Sequence, residues 1–320
     1  MLNHTLALQN FYKRQCVFSI TNIFVAAFLN GKLITIPLME ELVVKKDFTD
    51  IYTRKTPIEY LKEMKRLQYR IADLTKPLYL SLAKQIYNKL QRPITILDLG
   101  SSYGINSALM RHNLTMSELD DFFLQENSPG EKKTREFFKK LPIDDTLNFY
   151  QVDISQPALK FSEDMGLCKK GICKNLETSD LERLKELPKF DMVIATGCIG
   201  YIGYKAFSKL FEMIKKQVDL SQNTVPIFAF TVLRIFDMKQ IQKTFDYYGY
   251  SLVKSDLKPI PQRKFADSDE RAQTLSLLHS KGIDTKEYEN DGHFYANFYV
   301  ASPKQLESQL ISMSRNMQKH

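Results

Sequence analysis

Two acids and two glycines carry the chemistry-bearing pattern of this 320-residue chain. In PITILDLGSSYGINSAL, residues 93–109, an apolar run through Ile94, Ile96, Leu97 and Leu99 holds Asp98 near its end, then turns through Gly100 and Gly104. In FYQVDIS, residues 149–155, a second apolar run ends on Asp153. Glycine lets a backbone loop approach a ligand with no Cβ in the way. An acid ending the second strand of a nucleoside-binding sheet is placed to accept hydrogen bonds from both ribose hydroxyls. The pattern is that of a nucleotide-shaped site.

The glycine spacing separates one cofactor from another. A dinucleotide loop of the form GxGxxG needs glycine where Ser102 and Ile105 stand, which weakens the pyrophosphate reading and leaves a dinucleotide oxidoreductase a distant possibility. A phosphate-cradling P-loop needs GxxxxGK, and no such Lys follows Gly100. What remains is an acid, one residue, Gly, three residues, Gly. For acid–base work the candidates are Tyr201, Asp237 and His293. His293, in DGHFYANFYVASP, is the best of them, because imidazole titrates near neutrality and a loop before the last strand can face the same crevice. A structural or surface role is the competing reading of that histidine. Cys198, in TGC, reads as a packed thiol rather than a nucleophile.

The elements that must position these residues alternate. Ile94–Leu99 reads as a strand and Ile105–His112 as a helix; Phe149–Asp153 is a second strand, followed by a helical pattern through Ala158, Phe161 and Met165. Gly171–Glu177 reads as a short third strand entering a polar turn, Phe190–Ile202 as a fourth strand and its loop, and Val225–Leu233 as a fifth. Met238–Tyr250 then reads as a helix, Ser251–Ser255 as a strand and Asp267–Lys281 as a charged helix, before a last strand with Tyr295, Phe298 and Tyr299. Strand and helix recurring at this spacing predict a mainly parallel sheet.

With DLGSSYG, VDIS, NLE and FDMVI placed in that order, the chain resembles the class I S-adenosylmethionine-dependent methyltransferases over about Asp50 to Pro303. DLGSSYG is similar to their motif DLGxGxG, with Ser102 in place of the middle glycine. The resemblance implies an α/β, Rossmann-like fold: a seven-stranded, mostly parallel sheet with an antiparallel last strand and an N-terminal helical lid. It implies S-adenosylmethionine as cofactor, with Asp98, Gly100, Ser101, Ser102 and Gly104 around its aminoacyl end and Asp153 on the ribose. Asn175 and Leu176 would lie beside the adenine, and Thr196 and Gly197 would close the other side. Two departures stand out: Ser102, and a separation of nearly fifty residues between Gly104 and Asp153 where compact family members use about half that. The extra length, Thr115–Leu147, is mostly charged and reads as an inserted helical hairpin at the surface.

Ahead of the first parallel strand, residues 49–92 read as the helical lid. Thr56, Pro57 and Glu59 suggest a capping box before Tyr60, Leu61, Met64 and Leu67. Leu78, Leu82, Ile86 and Leu90 form a second apolar stripe, and Pro93 closes it. Tyr69 and Arg70, at the junction, are candidate substrate-binding residues. Residues 1–48 read as an extension: Val17–Leu29 is too short and too polar for a membrane span, Asn30-Gly31 suggests a hairpin turn, and Met39 is an alternative start. Residues 93–303 form the methyltransferase domain and 304–320 a tail.

The 45 basic and 37 acidic residues give a formal charge of +8, but Lys45-Lys46, Lys139-Lys140 and Lys215-Lys216 fall on different elements and form no stripe. That argues for a solvated basic surface and against a nucleic-acid partner. The cysteines at 16, 168, 173 and 198 show no CxxC pair and read as reduced thiols of a cytoplasmic protein, with no metal site. The expected reaction is methyl transfer to an O or N nucleophile of a small molecule. The alternatives are a nucleic-acid methyltransferase, and a cofactor-binding regulatory or interaction protein without turnover. The oligomeric state has no signature in the sequence.

Overall fold

A computed structural model describes residues 24–29, 32–37, 49–126, 128–178, 187–217 and 225–306. Cys16, the Asn30-Gly31 pair, Met39 and most of the 304–320 tail lie outside the described residues, as does the first part of the Val17–Leu29 run. The chain divides into two units, residues 1–43 and 44–320. In the first, β1 (Phe24–Leu29) and β2 (Lys32–Pro37) pair antiparallel with Leu29 opposite Lys32.

Among the described residues, the second unit holds an eight-stranded sheet. Its strands are β3 (Ile94–Leu99), β4 (Leu147–Asp153), β5 (Lys170–Cys173), β6 (Met192–Ile199), β7 (Ile227–Leu233), β8 (Tyr250–Lys254), β9 (Ile260–Lys264) and β10 (His293–Pro303). They lie in the order β5-β4-β3-β6-β7-β10-β8, with β9 paired to the start of β10. The first five are parallel, and β10 runs antiparallel to β7 and β8. The strand order reverses between β3 and β6, and ligands bind outside the carboxyl ends of the strands at such a switch point. This is a Rossmann-like arrangement, with the antiparallel last strand where it was expected.

The count of seven strands needs correction, because β9 adds an eighth. Its sequence, IPQRK, has no apolar alternation and contains a proline, so nothing local marks it as a strand. It forms because β10 is eleven residues long and its first residues pair with β9, through an irregularity between Phe294 and Tyr295.

Period-two alternation sends side chains to opposite sheet faces. Leu97, Leu99, Val193, Phe228 and Phe230 pack under the helix Tyr204–Gln217, through Phe207 and Phe211, and under Lys239–Tyr247, through Phe245. Ile94, Ile96, Ile194, Ala229 and Phe298 meet Tyr79, Leu82 and Ile86 of the helix Ile71–Leu90. That helix runs twenty residues, straight through Pro77, and so begins earlier than its Leu78–Leu90 stripe suggests.

The helix before it, Ile58–Arg66, has Pro57 at its N-cap and no side-chain cap, so the capping box expected at Thr56 is absent; Glu59 bonds Lys62 instead. A capping box does form where none was expected, at Thr115 and Glu118, starting the helix Met116–Phe123. With Glu131–Lys140 this makes up the inserted hairpin, whose Phe122 and Phe137 rings stack with centroids 3.9 Å apart. The insertion is more than a solvated surface hairpin. Its apolar face, Met116, Leu119, Phe123 and Phe138, is buried with Tyr60, Leu61 and Met64 of the lid helix and with Phe161. Among the described residues, no helix is long and apolar enough to cross a membrane.

Candidate functional site

The loop after β3 is shaped by three left-handed residues. Gly100, Ser102 and Gly104 have φ of +64°, +50° and +76°. A Cβ on Gly100 would lie 2.7 Å from Cys198 Cβ, and one on Gly104 would lie 2.9 Å from Gln151 Nε2 and collide with the Ser162 side chain. Glycine is therefore required twice over at both positions, by conformation and by space. Ser102 keeps the left-handed backbone of the glycine it replaces. Its N–H donates to Asp153 Oδ2 at 2.8 Å, while Ser155 N–H donates to Oδ1 at 2.9 Å. The Asp153 carboxylate thus ties the β3 loop to the end of β4, and the segment after it exposes Ile154. An exposed isoleucine one residue past Asp153 is an apolar face for a flat ring, which the sequence reading did not single out.

Asp98 is completely buried. Asn106 Nδ2 donates to its two oxygens at 3.1 and 3.2 Å and also reaches Thr196 Oγ1 at 3.2 Å; Tyr79 Oη lies 2.9 Å from the same Thr196 hydroxyl. This chain fixes β3, β6 and two helices around one carboxyl. Burial pushes Asp98 up to about 8, the Asn106 bond pulls it down, and the charge of Asp153 adds to the rise. Asp153 is also raised by burial, against the pull of its backbone donors.

The facing wall is Thr196, Gly197 and Cys198 at the end of β6. Gly197, at φ +71°, donates its N–H to Thr231 Oγ1 at 3.0 Å, and Cys198 Sγ donates to Leu99 O at 3.2 Å. A Cβ on Gly197 would sit 3.1 Å from Gln262 Nε2 and 3.4 Å from Tyr69 Oη. Tyr69 and Gln262 thereby face the bare backbone of Gly197. Their approach is built from main chain: Arg70 N–H donates to Gln262 O at 2.8 Å and Lys264 N–H to Leu67 O at 2.7 Å, so the lid junction pairs with β9. From β9, Arg263 forms a buried bidentate ion pair with Glu270 at 2.7 and 2.8 Å.

Tyr52 was also missed by the sequence reading. Its segment is held by Tyr103 Oη, which donates to Ile51 O and Arg54 O at 2.9 Å each, and by Ser155 Oγ, which donates to Tyr52 O. The Tyr52 hydroxyl is raised by burial first and then by Tyr201 and Asp153, and its ring packs on Tyr60 with centroids 5.5 Å apart. DIYTR is too short and irregular to announce this. The packing of Tyr103 and Ser155 decides it.

The remaining candidates are spread out. Asn175 is exposed, and its Oδ1 accepts from Glu177 N–H at 2.9 Å, a turn cap. The Leu176 side chain is in the core with Ile172 and Phe190, leaving only its backbone for a ligand. Tyr201 is half exposed on the turn after β6. His293 starts β10 at the carboxyl edge of the parallel strands, with Nδ1 3.1 Å from Asp291 Oδ1, whose other oxygen accepts from Tyr295 Oη at 2.6 Å. Among the described residues, His293 Nε2 has no hydrogen-bond partner.

No protein-family model matches the chain, and no curated protein matches it. Among solved structures it is similar to magnesium protoporphyrin IX methyltransferase from Synechocystis PCC 6803 with bound SAM, at 10% identity and a TM-score of 0.39, covering 80% of this chain and 91% of that one. It is similar to a plantazolicin methyltransferase in complex with a triazolic desmethyl analogue and SAH, at 12% identity and a TM-score of 0.40, covering 77% and 90%. A TehB-like SAM-dependent methyltransferase from Corynebacterium glutamicum matches at 11% identity and a TM-score of 0.35, covering 68% and 86%.

Proposed function

We propose that this chain is an S-adenosylmethionine-dependent methyltransferase acting on an O or N nucleophile of a small, partly apolar molecule. The observation that carries the reading is the pinned loop: three left-handed residues after β3, tied by Ser102 N–H to the acid ending β4, at the point where strand order reverses. The residues fit such a cofactor. Among the described residues, Ser101 Oγ, Ser102 Oγ and Gln262 Oε1 are buried without partners, and two carboxyls, Asp98 and Asp153, stand at the ends of the adjacent strands.

In this reading Asp98, Gly100, Ser101, Ser102 and Gly104 hold the aminoacyl end, and Asp153 keeps its outer lone pairs for the ribose. Ile154, Asn175 and the Leu176 backbone border the base, and Thr196 and Gly197 close the far side. The cofactor supplies a methyl group on a sulfonium, a leaving group already activated, so the chain's task is to align the acceptor and, where needed, take its proton. Tyr52, Tyr69, Arg70 and Gln262 form the acceptor wall. His293, oriented by Asp291, is the candidate base, with Tyr201 at the mouth.

Calorimetric titration with S-adenosylhomocysteine tests this. Asp153→Ala removes a charge-assisted ribose contact and weakens binding by about 1.5–3 kcal/mol. Equal affinity of wild type and variant would refute the placement of the ribose. Tight binding without transfer to any component of a metabolite extract would instead favour the regulatory reading.

A further inference from the structure

Two interruptions of the sheet meet at one point. Between β6 and β7 the pairing runs as far as Ala195 with Phe230 and resumes at Ile199 with Val232. Thr196, Gly197 and Cys198 therefore stand opposite Thr231 alone, and the Gly197 N–H goes to the Thr231 hydroxyl. Between β9 and β10, Pro261 pairs with Tyr295 and Arg263 with Phe294, so Gln262 is an extra residue with no opposite number in that register. Its carbonyl accepts instead from Arg70 N–H on the lid junction. A bulge of this kind re-aims the side chain it carries. Here the Gln262 amide is aimed at Gly197, whose left-handed backbone leaves the space open: a Cβ would stand 3.1 Å from Gln262 Nε2 and 3.4 Å from Tyr69 Oη.

Gln262 is 5% exposed and, among the described residues, its Oε1 is buried without a hydrogen-bond partner. The contact with the lid junction uses only its main chain, so the polar head is not needed there. A buried carbonyl oxygen that accepts from nothing is costly, and a donor brought by a ligand relieves it. A side-chain amide presents an acceptor and donors in one plane, and its complement is a group with donor and acceptor side by side. Carboxamides, lactams and amidine-type heterocycles have such an edge. A carboxylate has two acceptors and would set an oxygen against Oε1. Arg263, the next residue along β9, is held by both oxygens of Glu270, and the strand-end acids Asp98 and Asp153 disfavour an incoming anion.

We propose that Gln262 is the specificity-determining residue for the methyl acceptor, and that the acceptor presents to it a neutral amide-type edge, a hydrogen-bond donor beside an acceptor. The inference rests on the methyltransferase reading above and goes beyond it in naming the acceptor's class. Gln262 neither gives nor takes a proton and forms no covalent bond. It holds the acceptor against the bare backbone of Gly197, at the end of β6 beside the point where strand order reverses.

Benzamide and benzoate are the probes: they match in size and planarity, but one has a donor beside an acceptor and the other two acceptors and a charge. Each is titrated into the full-length protein saturated with S-adenosylhomocysteine, with binding read by ligand-observed NMR. Benzamide is expected to bind roughly tenfold or more tighter than benzoate, because a site built to meet a donor rejects the analogue without one. Gln262→Leu should lose roughly tenfold or more in benzamide affinity, and a smaller factor in S-adenosylhomocysteine affinity. Gln262→Lys, which exchanges the amide for a cation, should favour benzoate over benzamide, a reversal that a merely structural role would not produce. Benzoate binding as tightly as benzamide, no benzamide binding to the S-adenosylhomocysteine complex, or a Gln262→Leu protein that loses both ligands equally overturns the proposal. The wild-type pair of titrations decides even where both variants fail to fold. S-adenosylhomocysteine binding with no preference between the probes refutes this inference alone, whereas failure of S-adenosylhomocysteine to bind removes the cofactor reading and this proposal with it.

Discussion

Gly104→Ala should unfold the site before it alters any chemistry. At φ +76° an alanine costs about 1–2 kcal/mol in the left-handed region. The added methyl would meet Gln151 Nε2 at 2.9 Å and Ser162 Cβ at 3.1 Å, and would press on Ser162 Oγ. Ser162 and Gln151 have no exposed surface, so neither can swing out, and overpacking adds about 1–3 kcal/mol. Reduced freedom of the unfolded chain returns about 0.4–1 kcal/mol. The net expectation is a loss of about 2–4 kcal/mol in urea unfolding, with S-adenosylhomocysteine affinity falling in the fraction that stays folded. Ser102→Gly is the matched control: it relieves strain at φ +50° but loosens the unfolded chain by a similar amount, so stability should change by less than about 1 kcal/mol. A Gly104→Ala protein within about 1 kcal/mol of wild type would refute the packing assigned to this loop.

Two further expectations concern buried charge. Asp98, held near 8 in the folded protein against the ordinary carboxylate range when unfolded, binds more protons folded than unfolded over roughly pH 4–8; stability of the ligand-free protein should therefore be full below that window and fall as pH rises through it, by up to about 1.4 kcal/mol per pH unit. Urea unfolding from pH 5 to 8.5 should show this slope in wild type and a flatter one in Asp98→Asn, and parallel curves would refute it. Glu270→Gln strands Arg263, whose side chain is 4% exposed, and should cost about 3–5 kcal/mol in thermal or urea unfolding; a loss below 1 kcal/mol would show that the pair does not brace β9.

How much of this was legible in the sequence depended on range. The βαβ order from β3 to β7 could be read because parallel buried strands are short apolar runs and their helices repeat every three to four residues. The glycine loop was legible because left-handed backbone leaves a residue-type signature, although Ser102 shows that the signature is incomplete. β9 was not legible. Its pairing comes from the free edge of β10 and from the lid junction, more than 190 residues away from Gln262 in the chain, and a strand containing Pro261 and two cations has no local preference to declare it. Tyr52 and Gln262 became part of the site for the same reason: what places them is a contact with a distant backbone, not a spacing.

The sequence by itself determined the fold class, the parallel order of the central strands and the position of two acids beside a glycine turn, since each follows from interactions within a few residues. Only the tertiary structure decided that Asp98 is sealed behind Asn106 and that Asp153 pins Ser102. It alone brought Tyr69, Gln262 and Gly197 together. Burial and the pairing of remote segments are properties of the packed chain, and the electrostatics of a buried carboxyl such as Asp98 exists only once water has been removed from around it.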